Sequence, residues 1–231
     1  MANLLRAHPS IALGRERYNS LFKRDGRISP ALFEKDRFCK ILREGDSHHK
    51  HLDDYYQKLE ARFEQCVLFG DKIPSLYRNY ADLDRSFPNH KIIFLVRNIF
   101  DVAYSFEGRR KHSLKNPDAS WPVTKGYKHA VSDWNLSLAS TLAIKEHPHL
   151  MIVEYERLYH DDALCDALFD FLELDCVDVV RDNWRQATLK RVELEAKRCN
   201  GLNLFQKHYI TKYARFSDYQ ALTAGEAKRE R

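Results

Sequence analysis

The sequence predicts an α/β protein, a parallel β-sheet flanked by helices. Three runs carry that prediction: Cys66-Val67-Leu68-Phe69, Lys91-Ile92-Ile93-Phe94-Leu95-Val96 and Leu150-Met151-Ile152-Val153. The second is the strongest, a continuous β-branched and aromatic run rather than an alternating one, as expected of a strand buried on both faces. Each run is followed by polar residues and then a helical pattern. Strands separated by helices of ten or more residues need right-handed crossovers, which make the sheet parallel.

Taken in order, Met1 to Ala7 reads as a helix already under way, with Leu4 and Leu5 as its apolar face and His8-Pro9 as its stop. Ser29 to Leu68 is helical in pattern. Pro30 sits near a start, Phe33 and Phe38 fall on one side, and a charged linker at Arg43 to His49 precedes a second helix around Leu52 to Phe63. The run Ser47-His48-His49-Lys50-His51 reads as a solvated helix start rather than a metal site, because adjacent histidines bring no identifiable supporting partners. One domain is expected over 1–223, followed by a charged, fraying tail over 224–231. A chain of 231 residues buries enough surface, roughly 70 %, to fold without disulfides or a structural metal.

Composition narrows the function. Hydrophobic residues are 44 % and charged residues 31 %, a globular balance, and 8 Gly with 7 Pro exclude collagen-like and low-complexity chains. No apolar run approaches the ~18 residues of a membrane span, and Met1 to Ser10 lacks the apolar stretch of a secretory signal. The five cysteines, Cys39, Cys66, Cys165, Cys176 and Cys199, are odd in number and scattered. They read as reduced thiols, mostly buried filler, in a cytoplasmic protein. A net charge of +5 suits an anionic ligand. It is too weak to argue for nucleic acid, and no basic stripe interleaved with aromatics is present.

In open parallel sheets ligands bind beyond the carboxyl ends of the strands. The segments to interrogate are therefore Gly70 to Pro74, Arg97 to Asp101 and Glu154 to Glu156. Ser105 follows Arg97 by eight residues, a little over two helical turns. That spacing allows a guanidinium fork and a hydroxyl to meet one anion. It equally allows an arginine in a surface ion pair and a serine on a helix face, and spacing alone leaves both open.

The stretch KIIFLVRNIFDVAYSF resembles the 3′-phosphate-binding segment of sulfotransferases that use 3′-phosphoadenosine 5′-phosphosulfate (PAPS). GDKIPSLYRNYADLDRSFPNHKIIFLVR resembles the family's Lys-x-Pro segment, helix, Phe-Pro turn and strand. DWNLSLASTLAIKEHPHLMIVEYERLYHD with LFDFLEL resembles its later helix, strand and Tyr-Glu-x-Leu segment. RAHPSIALGRERYN resembles its His-Pro turn and the acidic patch after it. These blocks run from about Leu4 to Leu174. Asn98-Ile99 replaces the more usual Asp-Pro, which removes no ligand-binding side chain.

The resemblance implies a P-loop nucleotide-hydrolase-like sulfotransferase fold and transfer of a sulfuryl group from PAPS to an acceptor hydroxyl or amine. In that chemistry the acceptor loses a proton as it attacks, and the departing bridging oxygen gains charge that a fixed cation stabilises. By resemblance Glu16, eight residues after His8 as in the protein-tyrosine branch, is the base and Lys72 the cation. Arg97, Ser105 and Arg109 hold the 3′-phosphate, Tyr155 stacks on or hydrogen-bonds near the nucleotide, and no metal is implied. Read by themselves, Glu16 is a solvated carboxylate between Arg15 and Arg17, Lys72 a loop lysine and Tyr155 a packed aromatic.

The family's 5′-phosphosulfate loop, a strand and a Ser/Gly/Thr-rich turn, is expected before the His-Pro helix, where its backbone N–H groups hold the anion. Met1 falls inside that helix and no glycine precedes Gly14, so the loop is expected to be missing. Either the start is truncated from an active transferase, or the chain is a degenerate copy serving as a binding or scaffold protein. The acceptor, whether small molecule, carbohydrate or peptide, is left open by variable loops such as Arg110 to Gly126, and the oligomeric state is not indicated. Trp121, Trp134 and Trp184 read as core or acceptor-pocket residues, and His129, His147 and His149 as surface or core residues.

Overall fold

Among the described residues four strands form, each five residues long and each paired in parallel with one other. The computed structural model describes residues 1–40, 45–47, 50–159, 161–196 and 201–224. It divides into two units, Met1–His90 with Leu172–Ala187, and Lys91–Phe171 with Thr188–Arg231. The α/β class and the parallel pairing are as the sequence predicts, with the pairing distributed over two two-stranded sheets. No helix among the described residues is long and apolar enough to cross a membrane.

The first unit opens with α1 (Ala2–Ala7), which ends at His8, whose extended backbone is what a following proline imposes. The His8 ring is buried. Its Nδ1 accepts the Ser10 N–H at 3.1 Å, which leaves Nε2 to donate to the Asp175 carbonyl, also at 3.1 Å. Next comes β1 (Ile11–Arg15), where the sequence reading placed only a turn and an acidic patch. Three apolar residues interrupted by Gly14 are too short a signal. The strand exists because β2 (Leu68–Lys72) pairs with it in register, Ile11 with Leu68 through Arg15 with Lys72. β2 itself starts later than predicted. The N–H groups of Val67 and Leu68 both go to the Ser10 carbonyl, at 2.9 and 3.2 Å, so the ladder begins there and runs on through Gly70, Asp71 and Lys72.

Between these strands lie α2 (Asn19–Asp25), a 3₁₀ turn at Pro30–Phe33, α3 (Lys35–Cys39) and α4 (Asp53–Arg62). The helical region predicted over Ser29 to Leu68 is thus real but broken. Arg43, His48 and His49 lie outside the described residues. Phe33 stacks on Phe38 at 5.8 Å, and Tyr18 meets Phe33 edge-on at 5.6 Å. Leu13 N–H and Ile11 C=O, two residues apart and so on the same edge of β1, are taken by the Tyr55 hydroxyl (2.9 Å) and Arg62 Nη2 (3.2 Å) of α4. The Arg17 guanidinium sits 4.9 Å over the Tyr56 ring and donates to the Lys40 carbonyl at 2.9 Å. Helix α5 (Ala81–Ser86) closes this stretch, and the buried Trp184 belongs to the same unit.

The second unit begins with β3 (Ile92–Val96), leading directly into α6 (Ile99–Lys115). Then follow α7 (Tyr127–Leu142), β4 (Leu150–Glu154), α8 (Asp162–Phe171), α9 (Asp178–Ala196), of which the residues up to Ala187 belong to the first unit, α10 (Leu204–Tyr213) and α11 (Phe216–Thr223). β3 and β4 pair from Ile92 with Leu150 to Val96 with Glu154. Their core joins Val96, Ile99 and Ala103 to Ala130, Trp134 and Leu138 of α7 and to Ile210 and Leu222 of the last two helices. Asn203 and Gln206 start α10 with a reciprocal capping box. Arg110 to Lys115, expected to open an acceptor loop, continue α6, because Arg110 is anchored there by an ion pair to the buried Glu107. Cys39, Cys66 and Cys165 are buried. Cys199 and, beyond Ala224, the expected tail lie outside the described residues.

Candidate active site

The carboxyl ends of β1 and β2 present the first group of predicted residues. Glu16 follows β1 directly and has φ = 57°, a left-handed backbone uncommon for any residue but glycine. Its N–H donates to the Lys72 carbonyl at 3.0 Å, and its own carbonyl accepts the Asn19 N–H at 3.2 Å. The turn is held from the neighbouring strand. Asp71 Oδ1 accepts the Arg17 N–H at 3.2 Å and Oδ2 the Tyr18 N–H at 2.7 Å. Gly14 makes room for that carboxylate, since a Cβ there would stand 2.6 Å from Asp71 Oδ1. Desolvation pushes the Asp71 carboxyl up to about 7, against the N–H donors of Tyr18, Arg17 and Lys72, and the Glu16 charge adds to the rise.

Lys72 Nζ donates to Glu16 Oε1, so the structure brings the predicted base and the predicted cation together. Their side chains keep 32 % and 47 % of their exposure, respectively. An ion pair that open adds only about 0.2–1 kcal/mol to stability. Stability alone therefore does not account for a left-handed glutamate, a conformation that costs about 1–3 kcal/mol and clusters at functional sites.

The carboxyl ends of β3 and β4 present the second group. Arg97 follows Val96, and Tyr155 follows Glu154, the residue paired with Val96. The Tyr155 N–H donates to the Val96 carbonyl at 2.8 Å, continuing the ladder by one bond. This register puts the Arg97 guanidinium 4.5 Å from the centre of the Tyr155 ring. Arg97 Nη2 donates to Asp101 Oδ2 at 2.7 Å, while its Nε is buried without a partner among the described residues. The backbone around it is tied down. The Arg97 carbonyl accepts Trp134 Nε1–H at 2.9 Å, the Asn98 N–H donates to Glu156 Oε1 at 3.0 Å, and the Asn98 side chain caps α6 by accepting the Phe100 N–H at 2.8 Å.

Ser105 and Arg109 are both exposed on α6. With Asp101 they recur every four residues and so form one stripe of the helix. The hydroxyl of Ser105 and the guanidinium of Arg97 do not touch; it is Asp101 that engages Arg97. Arg109 lies 4.8 Å over the Trp121 ring, whose Nε1–H donates to the Lys125 carbonyl at 2.9 Å. Trp134, left by the sequence as core or pocket, is core. Sequence reasoning passed over Asp71 and Asp101. Each stood in an interrogated segment, next to Lys72 and four residues after Arg97, and only the fold shows what it holds.

The chain matches the sulfotransferase domain family model over residues 44–224, well over half its length. Lys72, Arg97, Ser105, Arg109 and Tyr155 fall inside the match, and Glu16 lies before it. Comparison with curated proteins finds no match. Among solved structures the chain is similar to a sulfotransferase domain from the curacin biosynthetic pathway, with 18 % identity, a TM-score of 0.44, and coverage of 78 % of this chain and 72 % of that one. It is also similar to a sulfotransferase domain from the Synechococcus PCC 7002 olefin synthase, with 20 % identity, a TM-score of 0.47, and coverage of 78 % and 71 %. On the extent of the family match, the chain belongs to the sulfotransferase domain family.

Proposed function

We propose that the protein transfers a sulfuryl group from PAPS to a hydroxyl or amine of an acceptor. The observation that carries the reading is Arg97, a guanidinium stacked on Tyr155 at the carboxyl end of a parallel strand, with one buried N–H lacking a partner among the described residues. A buried donor without a partner costs about 1–3 kcal/mol, which a phosphate oxygen recovers. The 3′-phosphate therefore takes Arg97, with Ser105 and Arg109 contributing from the same stripe of α6, and Tyr155 borders the nucleotide.

In the transfer step the acceptor oxygen or nitrogen forms a bond to sulfur as the bond from sulfur to the bridging oxygen of PAPS breaks. Glu16 takes the acceptor's proton. Lys72, held on Glu16 in this structure, stabilises the charge that collects on the departing oxygen of 3′-phosphoadenosine 5′-phosphate (PAP). The proton ends on the carboxylate and the negative charge on PAP, beside the ammonium. Titration calorimetry of the full chain with PAP and PAPS tests the reading. Saturable binding that Arg97→Ala weakens about 100-fold is expected, and no binding of either nucleotide overturns it.

A further inference from the structure

Resting on the reading of Glu16 as proton acceptor, we propose that Asp71 is a positioning residue whose carboxylate fixes the turn that aims Glu16 at Lys72. One carboxylate takes the N–H groups of the two residues after Glu16, one on each oxygen. The Lys72 carbonyl takes the N–H of Glu16 itself at 3.0 Å, and the Lys72 ammonium takes its side chain. Three consecutive amides are thereby bound by two consecutive residues of β2, and the left-handed φ of Glu16 is the conformation that lets this happen. Gly14, on the strand that ends in the turn, is the only residue type that leaves the Asp71 oxygen where it is, at 2.6 Å from a virtual Cβ.

The chemistry of that carboxylate goes further than shape. Charged, Asp71 offers both oxygens to the two amides; protonated, it keeps one good acceptor and gains a donor facing an N–H. The groups facing it are Glu16, Arg17 and Tyr18 of the turn, Lys72 on its own strand and Tyr56 of α4. With its titration near 7, the geometry of the turn varies across the physiological range. An ordinary exposed aspartate would not do this.

Heteronuclear NMR of the full chain tests the proposal without an acceptor. In the wild type the Arg17 and Tyr18 amides should move in one step centred near pH 7. In Asp71→Asn the step should vanish, and the Glu16 carboxyl carbon and Lys72 ammonium resonances should shift toward solvent-exposed positions. Gly14→Ala reaches the same clamp from the opposite strand and should do likewise, so loss of fold in one variant does not decide the matter. Wild-type Glu16 and Lys72 resonances in folded Asp71→Asn, or amides that do not titrate, overturn the proposal. PAP release from PAPS, with p-nitrophenol as acceptor, separates this from the reading it rests on. Asp71→Asn should lower kcat at least about tenfold and leave PAP affinity within about twofold. Full turnover in Asp71→Asn with none in Glu16→Gln sinks the clamp alone, whereas full turnover in Glu16→Gln sinks the role of Glu16.

Discussion

The end of the β1–β2 pair and the end of the β3–β4 pair are built on one plan and finished differently. In both, parallel register sets side chains at the carboxyl ends of two adjacent strands side by side, Glu16 by Lys72 and Arg97 by Tyr155. At the first, the facing side chains are opposite charges and the backbone is strained. At the second, they are a cation and a ring, the backbone is relaxed and capped, and one donor is left over. The contrast teaches a division of labour. A strained acid held to a half-exposed cation suits a step in which charge moves, and a tied-down cation with a spare donor suits an anion that stays.

That division can be broken by substitution. Glu16→Gln keeps the shape and removes the proposed base, so the proposed transfer from PAPS should fall about 10²–10⁴-fold while PAP affinity holds, measured by PAP release and calorimetry. Arg97→Ala should weaken PAP binding about 100-fold through loss of two charge-assisted hydrogen bonds. If Arg97→Ala instead spared binding and slowed only turnover, the two ends would have exchanged roles. Ser105→Ala removes one hydroxyl donor and should cost about fivefold in PAP affinity. Asp101→Asn sharpens the contrast from the other side. On the proposed reading Asp101 competes with the phosphate for Arg97 in a partly exposed pair of about 0.2–1 kcal/mol, so its neutralisation should tighten PAP binding by no more than about fivefold.

The stability of the first end has its own pH signature. Asp71 is raised to about 7 from an unfolded value of 3.8, so the folded protein holds its proton more tightly than the unfolded chain. Its contribution to stability is therefore greatest at low pH and declines as pH rises through that window. The difference in melting temperature between wild type and Asp71→Asn, followed from pH 4 to pH 8, should drift in favour of the variant as pH rises.

How much of this was legible in the chain depends on where the information lay. β3 and β4 declared themselves because their runs are continuous and apolar. β1 did not, because three apolar residues ahead of a glycine make a strand only when β2 is beside them. The polar half of β2 was read as loop for the same reason. Asp71 belongs in a strand only because distant amides satisfy it. Of the candidate site, the family resemblance named residues, but not which of them pair. That Arg97 lies on Tyr155 follows from register across 58 residues of chain, and that it meets Asp101 before Ser105 follows from the place of Asp101 in the first turn of α6.

The side chains that α4 lays along β1 bear on how the molecule behaves in a crowded solution. Tyr55 is pushed by burial up to about 12, so its phenol stays neutral, and Leu13 keeps its acceptor, at any pH a cell maintains. With Arg62 on Ile11, two backbone groups of that border are already taken and are withheld from a foreign strand. Protection against fibrous self-association on this side rests on a phenol and a guanidinium, and a single Tyr55→Phe exchange would reopen one rung of it.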